Sequence, residues 1–217
     1  MRFSTIRSLI PTTAIVAVLL SSCASQQVPA ISQPHAAVLG IDVTLRAALG
    51  DSRYKPVIVY LAKVDADSGL LQKQIIRTNY VKDGRAYLFN AAPGTYVAVA
   101  AYSSPPMFGT TTDSITYFSK QLAEQTKTTV GEGEFAFMGS FEVAQGVWLD
   151  KADEVQVHYR NLLSPREARG IVAEYLNQIT SYRGSPGASK DEEKARDSFV
   201  QSAKKDFAGS TWAALLK

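Results

Sequence analysis

Between residues 38 and 161 the apolar residues come in short runs, and turn residues separate one run from the next. Strict alternation of apolar and polar residues is typical of a strand with one buried face, and a short continuous apolar run is typical of a strand buried on both faces. The runs are VLGIDVTL (38–45), PVIVYLAKV (56–64), TYVAVAAY (95–102), SITYFS (114–119), EFAFMGSFEV (134–143) and DEVQVHYR (153–160). A hairpin is predicted where Asp83-Gly84 separates IIRTNYV from AYLF, because this pair readily adopts the positive φ values of a tight turn.

Two of the runs also predict which side chains share a face. Alternation in EFAFMGSFEV places four apolar side chains on one face of a strand, namely Phe135, Phe137, Phe141 and Val143. Alternation in DEVQVHYR predicts another strand, with Val155, Val157 and Tyr159 on its apolar face and His158 on its polar face. Both segments therefore read as half-buried strands.

From residue 164 onward the apolar spacing changes to that of helices. Ser164-Pro165-Arg166-Glu167 and Ser189-Lys190-Asp191-Glu192 both match a capping box, which marks the start of a helix. The apolar positions that follow fall on one helical face each: Ala168, Ile171, Val172, Tyr175, Leu176 and Ile179 in the first helix, and Ala195, Phe199, Ala203 and Phe207 in the second. We expect a helical hairpin that covers the sheet. The alternative is that Trp212, Leu215 and Leu216 dock on a partner.

The order of these elements predicts a mainly β protein with an α-helical tail. Seven or more short strands favour an antiparallel β-sandwich over residues 38–161, followed by an αα-hairpin over residues 162–217. The stretch DGRAYLFNAAPGTYVAVAAY (83–102) resembles the small prealbumin-like sandwiches of carboxypeptidase regulatory-like domains. That resemblance implies a fold and no activity, because such domains serve as spacers, binding modules and assembly parts. Residues 117–143 are similar to segments of uncharacterised envelope lipoproteins.

The first 22 residues have the features of a secretory signal peptide. Arg2 and Arg7 give a basic start without acidic residues, and LIPTTAIVAVLL (9–20) follows as an apolar stretch. Its uninterrupted part, residues 14–20, is far shorter than the roughly 20 apolar residues of a membrane-spanning helix. We therefore expect a targeting segment over residues 1–22.

Leu20-Ser21-Ser22-Cys23 resembles the lipobox of bacterial lipoproteins. The resemblance implies cleavage before Cys23, a diacylglyceryl group on its sulfur and an acylated amino terminus, so the membrane is bound through lipid. An ordinary leader that ends in a small residue is the alternative. In such proteins an Asp after the cysteine tends to cause retention in the inner membrane. This chain has Ala24 there, which implies the outer membrane and does not indicate which of its two faces carries the protein. Residues 23–37 are then a lipidated flexible tether.

Charge and cysteine content narrow the function classes. The chain has 23 Lys plus Arg against 20 Asp plus Glu, and two of the arginines lie in the leader. Like charges do not form a block of five or six, so no nucleic-acid partner is expected. Cys23 is the single cysteine, so an internal disulfide cannot form and the domain depends on its core.

Candidate catalytic groups are sparse in the sequence. The two histidines, His35 and His158, lack further His or Cys residues at the spacing of a zinc site, and VDADSG (64–69) lacks the later ligands of a calcium loop. Gly139-Ser140-Phe141 lies inside a strand pattern, where a nucleophilic serine would not be exposed on a sharp turn. We expect no catalytic residue, no metal and no cofactor.

The resulting expectation is a lipid-anchored, non-enzymatic envelope protein with a binding or assembly role and a possible envelope protein partner. The alternatives are an envelope hydrolase whose carboxylates are assembled by the fold, and a structural accessory subunit. The candidate partner-binding residues are Met107 and Phe108, in the proline-stiffened loop SSPPMFGTTTD (103–113). The alternative is that these two side chains plug the open end of the sandwich.

Overall fold

The computed structural model describes residues 27–64, 71–104, 106–107, 110–111, 113–147, 151–163, 179–187 and 192–216. The protein is mainly β, as predicted. The strands are β1 (Ala37–Arg46), β2 (Arg53–Tyr54), β3 (Ile58–Val64), β4 (Leu71–Arg77), β5 (Tyr80–Lys82), β6 (Arg85–Ala91), β7 (Gly94–Ser103), β8 (Pro106–Met107), β9 (Thr110–Thr111), β10 (Ser114–Phe118), β11 (Thr128–Val130), β12 (Phe135–Val147) and β13 (Thr180–Pro186). The helices are α1 (Lys120–Gln125), α2 (Glu154–Leu163), α3 (Glu192–Asp206) and a 3-10 helix (Thr211–Leu215).

Eleven of the described strands form one mixed sheet. The order of hydrogen-bonded neighbours is β4-β3-β7-β10-β13-β12-β1-β6-β5, with β11 paired to β7 and β2 paired to β1. The β1–β12 and β10–β13 pairs are parallel, and the other pairs are antiparallel. The expected antiparallel arrangement is therefore wrong for these two pairs, and the expected sandwich is not confirmed.

The sheet closes on itself through one bent stretch of chain. Strands β4 and β5 end the row of neighbours on opposite sides, yet only residues 78 and 79 separate them in sequence. The amide of Thr78 donates to the Val59 carbonyl of β3 at 3.0 Å, and the amide of Asn79 donates to the Tyr87 carbonyl of β6 at 2.9 Å. Residues 71–82 therefore pair with β3 first and with β6 next, so the sheet forms a barrel.

Most of the interior of this barrel is apolar, because the residues that alternate inward along each strand are mainly apolar. One buried cluster takes side chains from strands on all sides, and Ile76 of β4 and Val81 of β5 both pack against it. Its members include Leu39, Ile41, Val43, Leu45, Val59, Leu61, Leu88, Ala98, Phe118, Leu122 and Val143. Burial of this apolar surface is the main favourable contribution to folding.

Two further clusters cover parts of the outer face of the barrel. In the first, α3 and the 3-10 helix pack Phe199, Phe207 and Trp212 onto Tyr87 and Phe89 of β6. In the second, α1 and α2 pack onto β7 and β10, with Tyr159 fully buried. The expectation that Phe199 and Phe207 are buried is confirmed, with 4% and 0% exposure.

Residues 154–160 of the predicted strand 153–160 belong instead to α2. Val155 and Tyr159 are buried, whereas Val157, which alternation placed beside them, is 43% exposed. Spacing of four residues matches a helix face, and Asp153 caps the helix because its Oδ1 accepts hydrogen bonds from the amides of Val155 and Gln156, both at 3.0 Å. The capping residue explains why the helix forms here.

Strand β12 departs from strict alternation at a bulge. Gly139 has φ +120°, and the register against β1 shifts between Gly40 and Asp42. Phe137 consequently packs with the outer cluster and Phe141 with the barrel interior, so the prediction that they share a face is wrong. A bulge adds one residue to a strand and reverses the faces that follow.

The helical hairpin expected over residues 162–217 is not confirmed. Most of its predicted first helix, whose last apolar position is Ile179, lies outside the described residues, and the segment that follows, Thr180–Pro186, is strand β13. Gly184 suits that strand because a Cβ at this position would lie 2.8 Å from Val143 Cγ1 and 2.9 Å from Thr116 Cγ2. The Asp83-Gly84 turn is confirmed, with φ values of +47° and +78°.

Candidate functional site

The bulge of β12 lies beneath the amino-terminal half of α3, where two cavities adjoin. One cavity has a volume of about 410 Å³ and the other about 460 Å³, and both are lined by Ser140 and Ala195. These volumes fall within the range of small-molecule sites in proteins. We call the two cavities together the α3 groove.

The first cavity of the α3 groove combines an aromatic floor with a charged rim. Phe137 and Phe141 lie on either side of the bulge, and Leu122 of α1 adds apolar surface. Glu192 and Arg196 line the cavity from α3. The cavity therefore offers apolar contact beside groups of both charges.

Most of the residues that line the second cavity are polar or charged. Asp42 lines it, accepts a hydrogen bond from Ser140 Oγ at 2.8 Å and forms an ion pair with Lys55. Lys194 and Ser198 line the cavity from α3. The Asp42 carboxylate therefore accepts a hydrogen bond from the Ser140 hydroxyl while it is also paired with Lys55.

A second carboxylate on the groove is also held by cations. Glu142 lies 3.0 Å from Arg53 Nε and 3.7 Å from Arg46 Nε, and its side chain is only 14% exposed. These ion pairs link Glu142 of β12 to Arg46 of β1 and Arg53 of β2.

The carboxyl-terminal end of α3 is fixed to the barrel by a buried ion pair. Asp206 accepts hydrogen bonds from Arg85 Nε at 2.8 Å and Nη2 at 3.0 Å, and from the Tyr87 hydroxyl at 2.7 Å. Burial, and then the bond to Asp206, raise the pKa of Tyr87 well above its usual value. The bond to Asp206 likewise raises the pKa of Arg85. This pairing holds α3, and with it the groove, against the sheet.

Aromatic packing fixes the same helix from below. The Phe199 ring lies 4.4 Å from that of Phe137 and 5.5 Å from that of Tyr87, measured between centroids. Gly40 makes the close approach possible, because a Cβ there would lie 2.7 Å from Phe199 Cε1. The floor of the groove is therefore preformed by packing.

A polar cluster lies within the barrel, at the end where β1 and β12 finish. The Tyr54 hydroxyl donates to Gln145 Oε1 at 2.6 Å, and Gln145 Nε2 donates to Thr116 Oγ1 at 2.7 Å. The hydroxyls of Ser103 and Ser114 lie 2.9 Å apart nearby. Burial raises the pKa of Tyr54. The internal bonds satisfy these groups, as buried polar atoms require.

The candidate partner-binding loop forms a small hairpin at that same end. Strands β8 and β9 pair Pro106 with Thr111 and Met107 with Thr110, separately from the main sheet. The hairpin connects Ser103 of β7 to Ser114 of β10, which pair with each other. The Met107 side chain and Phe108 lie outside the described residues, so their role as a contact tip stays a prediction.

The predicted lipidation residue, Cys23, also lies outside the described residues, but the segment after it is held by the domain. Trp212 Nε1 donates to the Pro29 carbonyl at 2.6 Å, and Asn90 Nδ2 donates to the Ala30 carbonyl at 2.9 Å. The amide of Ser32 donates to Asn90 Oδ1 at 2.8 Å, and Val28 packs against the outer cluster. We call residues 28–33 the docked segment. It lies within the range predicted to be a flexible tether.

Neither histidine belongs to a cluster of ligands. His35 Nδ1 lies 3.5 Å from Glu132 Oε2 on the surface, and the His158 ring packs edge-on against that of Tyr159 on α2. Within the described ranges, His, Cys, Asp and Glu side chains nowhere gather in threes as metal ligands would. Residues 65–70, which hold the rejected calcium-loop pattern, lie outside those ranges.

Comparisons with protein-family models, curated proteins and solved structures each find no match for this chain. Among the described residues, no helix combines the length and the hydropathy needed to cross a membrane.

Sequence reasoning did not find the α3 groove. Its polar residues come from distant parts of the chain, since Asp42, Lys55, Ser140 and Lys194 lie on four different elements or loops. The one available signal was Gly139 inside a strand pattern, because an isolated glycine in a strand often marks a bulge. The docked segment had no comparable signal, since ASQQVPAISQPHAA reads as linker by composition.

Proposed function

We propose that this chain is a lipid-anchored protein of the bacterial cell envelope that is sorted to the outer membrane, as Ala24 in place of Asp implies, and that acts by binding or assembly. The anchor is the lipid at Cys23, supported by the basic start, the short apolar stretch and the Leu20-Ser21-Ser22-Cys23 motif. Two or more acyl chains give stable membrane attachment, whereas one chain is marginal. The domain is then presented at a membrane surface without a spanning helix.

The observation that carries the binding role is the preformed α3 groove. Its floor is fixed by the Phe137–Phe199 ring contact, and α3 is fixed by the Asp206–Arg85 pair. A site that is already formed loses little conformational entropy when it binds. Its aromatic floor and charged rim suit a partner segment or small ligand with both apolar and polar groups.

The hydrolase alternative is less well supported. It requires two carboxyl groups with different proton affinities in one cleft. Asp42 and Glu142, the barrel carboxylates nearest the bulge, have Lys55 and Arg53 as partners. The accessory-subunit alternative needs an exposed tail, yet Trp212 and Leu216 are 0% and 6% exposed against their own barrel.

The anchor is tested by Cys23→Ser. We expect loss of labelling by a fatty-acid probe, because no other thiol is present in the chain, and either a soluble protein or an uncleaved precursor. Labelling that persists in this variant would contradict the proposed anchor.

The binding role is tested by photocrosslinking in native membranes from a residue that lines both cavities. A photoreactive amino acid at Ala195 should give an adduct, and the same group at Val157, exposed on α2, serves as the control. Ala195→Trp, which fills the groove, should displace the partner without changing the melting temperature. Identical adducts from both positions, or none from position 195, would refute binding in the groove.

A further inference from the structure

We propose that the barrel end carrying the docked segment lies on the bilayer surface, so that the opposite end, with the β8–β9 hairpin, points away from the membrane. This inference rests on the proposed lipid at Cys23. The interaction surface consists of Ile31, Ala213 and Ala214 around the Pro29–Trp212 contact, and the partner is the lipid surface itself.

The first step is the strength with which the docked segment is held. Asn90 makes three hydrogen bonds to it. The Asn90 side chain bonds the Ala30 carbonyl and the Ser32 amide, and the Asn90 carbonyl accepts a hydrogen bond from Gln33 Nε2 at 3.1 Å. Asn90 has φ +60°, a conformation that asparagine tolerates better than most residues. Trp212, fully buried, adds the bond to Pro29. From Val28 onward the chain is therefore held in a fixed position on the domain.

The second step is the chain length that remains. Only residues 24–27 separate Cys23 from Val28. An extended chain spans at most about 3.5 Å per residue, so the two Cα atoms lie within about 18 Å of each other in any conformation. The headgroup layer of a bilayer is about 5–8 Å thick on each side. An anchor lipid thus keeps Val28 within a short distance of the membrane surface.

The third step is the direction of the barrel. Ala37 begins β1, with only residues 34–36 between it and the docked segment, and Ala91 of β6 pairs with Ala37, so both lie at the anchored end. Strand β12 is parallel to β1, and its last residue, Val147, pairs with Tyr182 of β13. Ser114, the first residue of β10, pairs with Thr180, two residues from Tyr182 on β13, so β10 starts near the level at which β12 ends. The β8–β9 hairpin directly precedes β10 and therefore lies at the far end.

The fourth step is the chemistry of the surface beside the anchor. Ile31 is 49% exposed although it is a large apolar residue, and Ala213 and Ala214 are exposed next to Trp212. Apolar side chains at the headgroup boundary gain by burial in it, as lipid-facing side chains of interfacial helices do. Large apolar side chains are exposed at the far end as well, Leu49 at 86% and Val147 at 51%, so the short chain between Cys23 and Val28, and not apolar exposure, decides which end faces the membrane.

The test uses the single cysteine of the chain. Because Cys23 carries the lipid in this proposal, an introduced cysteine is the only reactive thiol. Ala213→Cys reports on the anchored end, and Leu49→Cys, 86% exposed in the loop after β1, is the control at the far end. Each variant of the lipidated full chain is labelled with a fluorophore and reconstituted in vesicles that contain lipids with a quencher near the headgroup. We expect several-fold stronger quenching at position 213 than at position 49.

Release of the docked segment should remove this difference. Asn90→Gly keeps the positive φ and deletes the side-chain bonds, and Trp212→Phe keeps a ring and deletes the bond to Pro29. The double variant should stay in the membrane fraction while quenching at the two positions becomes similar. Equal quenching in the parent protein, or an unchanged difference in the double variant, would overturn the orientation while leaving the anchor intact. Failure of every variant to bind vesicles would instead contradict the lipid at Cys23.

Discussion

Replacement of Asp206 by alanine tests whether the buried ion pair holds α3 on the barrel. The Asp206 side chain is 4% exposed and that of Arg85 is 18% exposed, so both charges lie largely out of water. Removal of one partner from a buried pair costs about 3–5 kcal/mol, because the other charge is left uncompensated. Arg85 keeps a contact of 3.1 Å with Asp83, which is 72% exposed and compensates weakly. We therefore expect Asp206→Ala to lower the free energy of unfolding by about 3 kcal/mol, the lower end of that range.

Urea denaturation followed by circular dichroism measures this loss as a change in the midpoint at constant slope. Asp83→Asn is the matched control, since it alters the exposed partner of the same arginine, keeps a residue that tolerates positive φ, and should cost at most about 0.5 kcal/mol. The triple variant Arg85→Met, Asp206→Leu and Tyr87→Phe should recover much of the loss, because it replaces the ion pair and the hydroxyl bonded to it by apolar groups. A cost below about 1 kcal/mol for Asp206→Ala would refute the assigned role.

Three further predictions concern the core and the far end. Burial raises the pKa of Tyr117 to about 12, above the unfolded value of about 10, so the folded state keeps a proton that the unfolded state loses. The resulting stability is present below pH 10 and declines as pH rises from about 10 to 12, and Tyr117→Phe should make the alkaline unfolding curve less steep; an identical curve would contradict this cause. Gly40→Ala should cost about 1–3 kcal/mol in thermal unfolding through its clash with Phe199, and less in a Phe199→Leu background; equal costs in both would exclude the clash. Met107→Ala with Phe108→Ala should keep the melting temperature and lose a crosslinked partner, whereas a loss of several kcal/mol would show that these side chains plug the barrel end.

The sequence predicted the strands whose signal is local. Apolar runs located β1, β3, β7 and β10, and the Asp83-Gly84 pair located the turn before β6. Both signals depend only on residues that are adjacent in sequence, namely the spacing of buried residues and a pair that tolerates positive φ. Residues 153–160 were misassigned because Val155 and Tyr159 satisfy a period of two and a spacing of four equally well. Asp153 was the signal for a helix, because Asp is a preferred residue at the N-cap position. The prediction gave more weight to the alternation of apolar residues.

Other features of the molecule depend on partners that are distant in sequence. Strand β13 forms because Gly184 can approach Thr116 and Val143 closely, which no pattern within Thr180–Pro186 reveals. The bulge at Gly139 places Phe137 and Phe141 on opposite faces, and with Ser140 it forms the boundary between the cavities. The groove and the docked segment thus arise from tertiary contacts. Of the candidate site residues, Cys23 and Phe108 lie outside the described residues, and the Met107 side chain does too.

The position of β13 has a consequence for any shortened form of the protein. Strand β13 is the last to enter the sheet along the chain, and it lies between β10 and β12. Chains that end before Thr180 would leave the facing backbone groups of both neighbours without a strand. Exposed strand edges recruit other chains and promote aggregation. Because β1 must also pair with β12, about a hundred residues away, the barrel depends on late and distant pairings, which fold slowly. The barrel is therefore indivisible in practice: a fragment spanning β1 to β12 contains most of its core and still has two open edges.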